Sequence, residues 1–262
     1  MRQYSSVFNT VEGNSTFYAL PSIETARRWR DEARTGFQFA LKFPRSITHD
    51  RRLERADRET AAFLEIADVL DSQRKLGPTF IQLPPDFSPQ SFEVLERYLK
   101  SLPTHFPWAV EVRHWDWYDE GPNEWKLDEL LRELRMDKVL FDSRPLFSKP
   151  PADEIEKISQ SRKPRTPHRT TVTSQHPFLR LVGRNHLPDV EPWINEWADV
   201  VAGWLRDGKR PFVFTHAPDD TFAPEFARMF LIRLRACLPE LPDLPRWPGE
   251  SDRPRFEQRS LF

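Results

Sequence analysis

The 262-residue chain sets thirty-nine Lys and Arg against forty Asp and Glu, a net charge of -1, so no global basic field recommends nucleic acid as a default partner. One cysteine, Cys237, excludes an internal disulfide and a thiolate zinc cluster and suits a reducing compartment. No apolar run approaches the ~20 residues of a membrane span, and Met1-Arg2-Gln3-Tyr4-Ser5 lacks the apolar core of a signal peptide, so the cytoplasm is the expected location.

Residues 1–8 read as the end of a helix feeding a strand at 9–14 that breaks at Gly13. Ser22 caps a helix from Glu24 to Arg34, and a strand at 37–42 ends before Pro44. A loop, Ser46-Ile47-Thr48-His49, leads to a helix from about Ala56 to Leu70. The strand at 79–83 is stopped by Pro84-Pro85, and Ser88-Pro89 opens a helix reaching about Leu102. The rhythm continues with a strand at 108–114, a helix from Leu127 to Leu134 and a strand at 138–142. After a long connection come a strand at 178–183, a helix from Pro192 to Leu205, a strand at 211–216 and a last helix from Pro224 to Cys237. Nine Trp, twenty Phe and twenty-five Pro fit many short elements around a core of ordinary size.

Seven near-continuously apolar strands alternating with helices at a spacing of ~30 residues predict a buried parallel sheet. No glycine-rich turn follows any strand, so neither a dinucleotide fingerprint nor a Walker-type loop is present. Strands that end in polar residues favour a TIM-type (β/α) barrel over an open doubly wound sheet. A closed barrel needs eight strands, and the first is the one not found. Residues 1–240 are read as one barrel domain and 241–262 as an extended tail.

The ordered set VEGNSTFYALP, GFQFALKFPRSITH, IQLPPDF, VEVRH, LFDSRP, RLVGRN and FTHAPD resembles the YecE-like family from about residue 4 onward. The resemblance implies a TIM-type barrel and no particular reaction. Members usually open with a strand bearing a GTSGW-like segment, which this sequence lacks. Two expectations follow: a misplaced start, or a gapped seven-stranded barrel with open edges at 9–14 and 211–216.

Strand alternation selects the groups expected to share the barrel mouth. Glu12 and Asn14 lie two apart and point to one side of an extended chain, as do Glu111 and Arg113. Glu12, Glu111, His216 and Lys42 are the candidate catalytic groups, and Asn14, Tyr18, Gln82, Arg113, His114, Asp142 and Arg180 the candidate substrate-binding ones. The favoured chemistry is a small phosphate- or carboxylate-bearing substrate clamped by Arg113, Arg180 and Lys42. Glu12 or Glu111 would act as base, with His216, or more weakly His49, as proton donor. No cofactor is expected. Metal binding through Glu12, Glu111, Asp142 and His216 is opposed by cations competing for the same carboxylates. A Schiff base on Lys42 is opposed by the carboxylates beside it. A self-neutralising ion network without a ligand is the plain structural alternative.

The connection from Ser143 to Pro177 is too long for a turn. Its basic stretch, Lys157, Arg162, Lys163, Arg165, His168 and Arg169, reads as a lid or phosphate flap, or as a solvated loop with a short helix near 153–161. Trp115, Trp117 and Tyr118 read as rim packing or as a stacking surface. From Pro239 to Arg255 the chain should be poorly ordered. The closing Gln258-Arg259-Ser260-Leu261-Phe262 resembles the bacterial sliding-clamp-binding pentapeptide, with Gln258, Leu261 and Phe262 as anchors. That tail motif supports an alternative role in DNA replication or repair.

Overall fold

The computed structural model describes residues 1–248. Its elements run α1 (Arg2–Val7), β1 (Thr10–Gly13), α2 (Ser15–Tyr18), α3 (Ile23–Glu32), β2 (Gln38–Leu41), α4 (Asp57–Asp71), β3 (Thr79–Gln82) and α5 (Phe92–Ser101). There follow β4 (Trp108–Glu111), α6 (Pro122–Glu133), β5 (Asp137–Asp142), α7 (Glu154–Arg162), β6 (Phe178–Val182), α8 (Glu191–Arg206), β7 (Phe212–His216) and α9 (Ala223–Cys237).

Local chemistry explains the boundaries. The Ser22 hydroxyl accepts the Thr25 N–H at 3.1 Å and starts α3. α6 begins five residues ahead of the expected Leu127 because the Asp119 carboxylate accepts the N–H groups of Gly121, Asn123 and Glu124, with Pro122 in the first turn. The short α2 has too few residues to leave a periodic pattern. The strand expected at 108–114 stops at Glu111, so Arg113 and His114 stand beyond the sheet.

Each of the seven expected strand regions contains a strand, and all pairings are parallel. They do not make one continuous ring. β3 to β7 form a curled five-stranded sheet in sequence order, while β1 and β2 form a separate pair. Isolated bridges at Phe39–Leu76 and Lys42–Phe80 join the two. β1 and β7 are not paired, so the closed TIM-type barrel gives way to a half-barrel sheet with a two-stranded companion. Between Thr10 of β1 and Val213 and Thr215 of β7 lies a cavity of about 650 Å³, backed by Leu205, Phe230 and Leu241.

Side chains inside the curl form a dry layer of Ala40, Phe80, Val139, Phe178, Phe212 and Phe214. One residue further along the inner face, the strands turn polar, which places the charged mouth directly on an apolar floor. Outside, α8 and α9 cover the far sheet through Trp197, Val201, Phe226 and Phe230.

The stretch after Pro239, expected to be poorly ordered, is exposed over most of its length but anchored at Leu241, Asp243 and Trp247. Arg235 donates from Nε to the Leu241 carbonyl at 2.9 Å and pairs with Asp243 at 3.1 Å. The Trp247 ring lies 5.6 Å from Phe8 and 6.5 Å from Tyr4. Apolar and aromatic surface outweighs the proline and charge content there.

Gly183 is the tightest backbone approach. Its N–H donates to the His216 carbonyl at 2.7 Å, and a Cβ there would lie 2.6 Å from Phe226 Cε1 and 3.1 Å from Val190 Cγ2. Phe226 and Val190 are both fully buried. Gly183→Ala is expected to cost about 1–3 kcal/mol through overpacking. Thermal unfolding checks this, and an unchanged Tm would mean that α9 yields without strain.

Candidate functional site

Three strands that are distant in sequence meet through one guanidinium. Arg180, from β6, donates from Nε and Nη2 to the two Glu12 oxygens, both at 2.8 Å. Its Nη1 donates to Glu111 Oε2 at 2.6 Å. Glu12 comes from β1 and Glu111 from β4, and the side chains of all three are 5% exposed or less. Further donors bring each carboxylate to three hydrogen bonds. Asn14 Nδ2 donates to Glu12 at 2.7 Å, while Gln82 Nε2 and Arg113 Nε donate to Glu111 at 2.7 and 2.9 Å. Beneath the cluster the Arg180 guanidinium lies 5.2 Å from the Phe80 ring and 5.5 Å from Phe141.

The electrostatics follow from this packing. Burial alone would raise both carboxyls, but Arg180 overrides it. With His216 also beside it, Glu12 is held well below the usual carboxylate range. Arg113 adds to the effect at Glu111, which falls to about 2. The Arg180 guanidinium is raised in turn, because the two carboxylates outweigh its burial. His216 Nε2 stands 3.3 Å from Glu12 but off the line of a good hydrogen bond, and burial lowers its pKa against the pull of Glu12.

Lys42 behaves differently. Its backbone follows β2 and is pinned by its N–H to the Gly13 carbonyl at 3.2 Å and by Thr16 Oγ1 on its own carbonyl at 2.6 Å. Its Nζ lies 3.8 Å over the Phe17 ring, and among the described residues it has no ion-pair or hydrogen-bond partner. Burial lowers its pKa to about 8; Glu111 pulls upward, and Arg180 and Arg113 push down. His49 is lowered to about 4, first by burial and then by Lys42 and Arg113.

One participant was read from the sequence only as part of the basic flap, not among the mouth residues. Lys163, beyond the C-terminus of α7, faces the same ions and is lowered to about 8 by burial, Arg180 and Arg113. The only signal for it was the basic run in the long connection. That connection is tied down: Thr166 Oγ1 donates to the Phe141 carbonyl at 2.6 Å, Ser143 Oγ to the Pro164 carbonyl at 2.7 Å, and Arg169 Nε to Glu124 at 2.9 Å.

The structure therefore gathers Glu12, Asn14, Lys42, Gln82, Glu111, Arg113, Arg180 and His216. Three expected members stand apart. Asp142 points outward, where it holds Arg144 at 2.7 Å and accepts Trp197 Nε1 at 2.7 Å, because inward-facing Phe141 takes the neighbouring position. The ring nitrogen of His114 accepts the Asp116 N–H at 3.2 Å, capping the turn at Trp115–Tyr118. Tyr18 is 81% exposed and touches Phe17 edge-on. Trp117 and Tyr118 pack the rim, with Trp117 Nε1 on the Phe87 carbonyl and Tyr118 Oη on the Val112 carbonyl. No group of three or more His, Cys, Asp or Glu is arranged for a metal ion among the described residues. Gln258, Leu261 and Phe262 lie outside the described residues.

Fold and site together define an α/β protein with a parallel half-barrel and an ion-bridged mouth at the C-terminal ends of its strands. The chain belongs to the family described as "Protein of unknown function DUF72", whose model matches residues 1–248. The UPF0759 protein YecE of Escherichia coli strain K12 is 33% identical over 251 residues, covering 96% of this chain and 91% of that protein. Two crystal structures share the fold. A DUF72 family protein (EF0366) from Enterococcus faecalis V583 has a TM-score of 0.69 at 19% identity, covering 92% of this chain and 93% of its own. Another (TM1631), from Thermotoga maritima MSB8, has a TM-score of 0.61 at 22% identity, covering 86% and 85%.

Removing Arg180 should leave Glu12 buried without a guanidinium and Glu111 with Arg113 alone. Arg180→Met is expected to cost about 3–5 kcal/mol at pH 7. In the parent, both folded carboxyls lie below their unfolded values, Glu111 at about 2, so their contribution is full above about pH 5 and is lost as pH falls through the folded values. In the variant, burial raises Glu12, which has lost its guanidinium, so acid relieves its charge. Urea unfolding at pH 7 and pH 5 should show the gap between parent and variant narrowing at the lower pH. A constant gap would contradict the electrostatic account.

Proposed function

We propose that the seven strands are staves of an open TIM-type barrel and that its C-terminal mouth binds a small anion, phosphate- or carboxylate-bearing. One observation carries this reading: four basic groups, Lys42, Arg113, Lys163 and Arg180, face two carboxylates, and Arg180 with Arg113 already balances that pair. The Arg113 Nη groups and both lysine amines have no protein partner among the described residues. Charge-assisted donors above a dry aromatic floor are what a phosphate or carboxylate requires. Arg180 belongs to the scaffold in this reading, and the clamp is Lys42, Arg113 and Lys163. Glu12 and Glu111, held ionised with their lone pairs engaged, are poor bases. The two amines titrate near neutral pH and are the better proton-transfer groups.

Calorimetric titration with inorganic phosphate, citrate and pyruvate tests the reading. Binding should weaken by about ten- to a hundredfold in Arg113→Ala and in the double variant Lys42→Met/Lys163→Met, the loss of one or more charge-assisted bonds. The amines are cationic below about pH 8 and neutral above it, so affinity should hold to that pH and then fall as pH rises. Absence of binding by all three anions, or binding indifferent to the lysine pair, would sink it.

A further inference from the structure

The mouth offers Lys42 more than a charge to contribute. Its carbonyl and N–H are both fixed, its side chain projects from the inner face of β2, and its amine rests on the Phe17 ring. The carboxylates oppose a neutral Lys42 as expected, Glu111 most, but they do not decide its state. Glu12 and Glu111 are each engaged by three donors from Arg180, Arg113, Gln82 and Asn14, and neither comes within ion-pairing distance of Lys42. What remains is a buried amine with no ion-pair or hydrogen-bond partner among the described residues, in a cluster that holds two guanidiniums, a setting in which a lysine becomes a nucleophile. Burial, with Arg180 and Arg113 and against Glu111 and Glu12, brings its pKa to about 8, so a neutral fraction exists at ordinary pH.

We propose that Lys42 condenses with the carbonyl of an anionic aldehyde or ketone, such as a 2-oxo acid or a phosphorylated carbonyl compound, to form an imine. This rests on the anion-binding reading, since the anionic group is what Arg113 and Lys163 would hold. The Lys42 lone pair adds to the carbonyl carbon, and the C=O π pair moves to oxygen. Nitrogen then loses a proton and oxygen gains one, giving the carbinolamine, with Lys163 as the second titratable amine facing the site. The hydroxyl accepts another proton and departs as water while the nitrogen pair closes the C=N bond, and the nitrogen gives up its remaining proton to leave the imine. One water is released per imine, and nothing is oxidised or reduced.

Trapping with sodium cyanoborohydride tests this. The full chain is incubated with glyoxylate, or in a parallel arm with glycolaldehyde phosphate, and the labelled peptides are mapped by mass spectrometry. Hydride from the borohydride reduces the imine, so glyoxylate leaves a carboxymethyl group on the amine. Lys42 should label at least about tenfold faster than exposed Lys100 and Lys126, given its larger neutral fraction. The Lys42 labelling rate should rise with pH through about 8, opposite to the trend in anion affinity. Lys42→Arg keeps a cation, removes the nucleophile and should abolish the adduct. A faster phosphate arm identifies a phosphorylated carbonyl, and a faster glyoxylate arm a carboxylate. Labelling spread evenly over surface lysines while phosphate and pyruvate still bind would overturn the imine alone. Failure of both anion binding and trapping would overturn the anion reading with it.

Discussion

A guanidinium buried between two carboxylates, one on the two-stranded pair and one on the five-stranded sheet, is the constraint on which the site depends. Arg180 is 168 residues from Glu12 and 69 from Glu111, so the three meet only once the strands have curled. The two hydrogen-bonded sheets are otherwise joined by two isolated bridges at the β2–β3 step. Arg180 adds a strut across the interior, from β6 of one sheet to β1 of the other. Three buried ions carry a desolvation cost that a hydrophobic replacement would avoid. The near-complete use of their donors and acceptors offsets that cost and fixes one geometry.

The saturation of that cluster sets the character of everything above it. Glu12 and Glu111 balance Arg180 and Arg113, which leaves Lys42 and Lys163 uncompensated, and the aromatic floor withholds solvent that would otherwise screen them. The excess charge falls on side chains that can titrate, Lys42 and Lys163, rather than on the arginines, which cannot. One buried strut therefore leaves two amines whose pKa values fall to about 8. The two histidines, pushed toward the neutral form, add dipoles rather than charge.

Much of this was legible in the chain, and the rest has identifiable reasons for being hidden. Strands are readable because each is an apolar run ending in a polar residue. Glu12 with Asn14 and Glu111 with Arg113 are readable as same-face pairs because a strand repeats every two residues. The same rule, applied from Phe141, would have turned Asp142 outward. That inward-facing position is hard to see without Arg180 as a reference, since a strand buried on both faces shows no alternation. Which carboxylate Arg180 would take was beyond reach, because partner choice across the barrel depends on curl and register. Lys163 was hidden for another reason: a connection of that length has no periodicity to aim a side chain. Only its tethers to Phe141, Ser143 and Glu124 decide where it faces.

The unpaired edges of β1 and β7 explain why Glu12 must be held so firmly. β1 has a hydrogen-bonded neighbour on one side alone, and an edge strand with one partner is the stave most free to shift. On the inner side Glu12 ties it to Arg180 and brings it against His216 of β7. On the outer side Leu241 closes part of the cavity between the strands, and Trp247 packs on Phe8 just ahead of β1. The open seam is thus closed by an ion pair within and apolar chain without, in place of backbone hydrogen bonds. Because Glu12 is at once the seam's fastening and a wall of the mouth, a shift of β1 would redistribute the carboxylate charge that sets Lys42 and Lys163. In this architecture the integrity of the seam and the electrostatics of the mouth depend on the same residue.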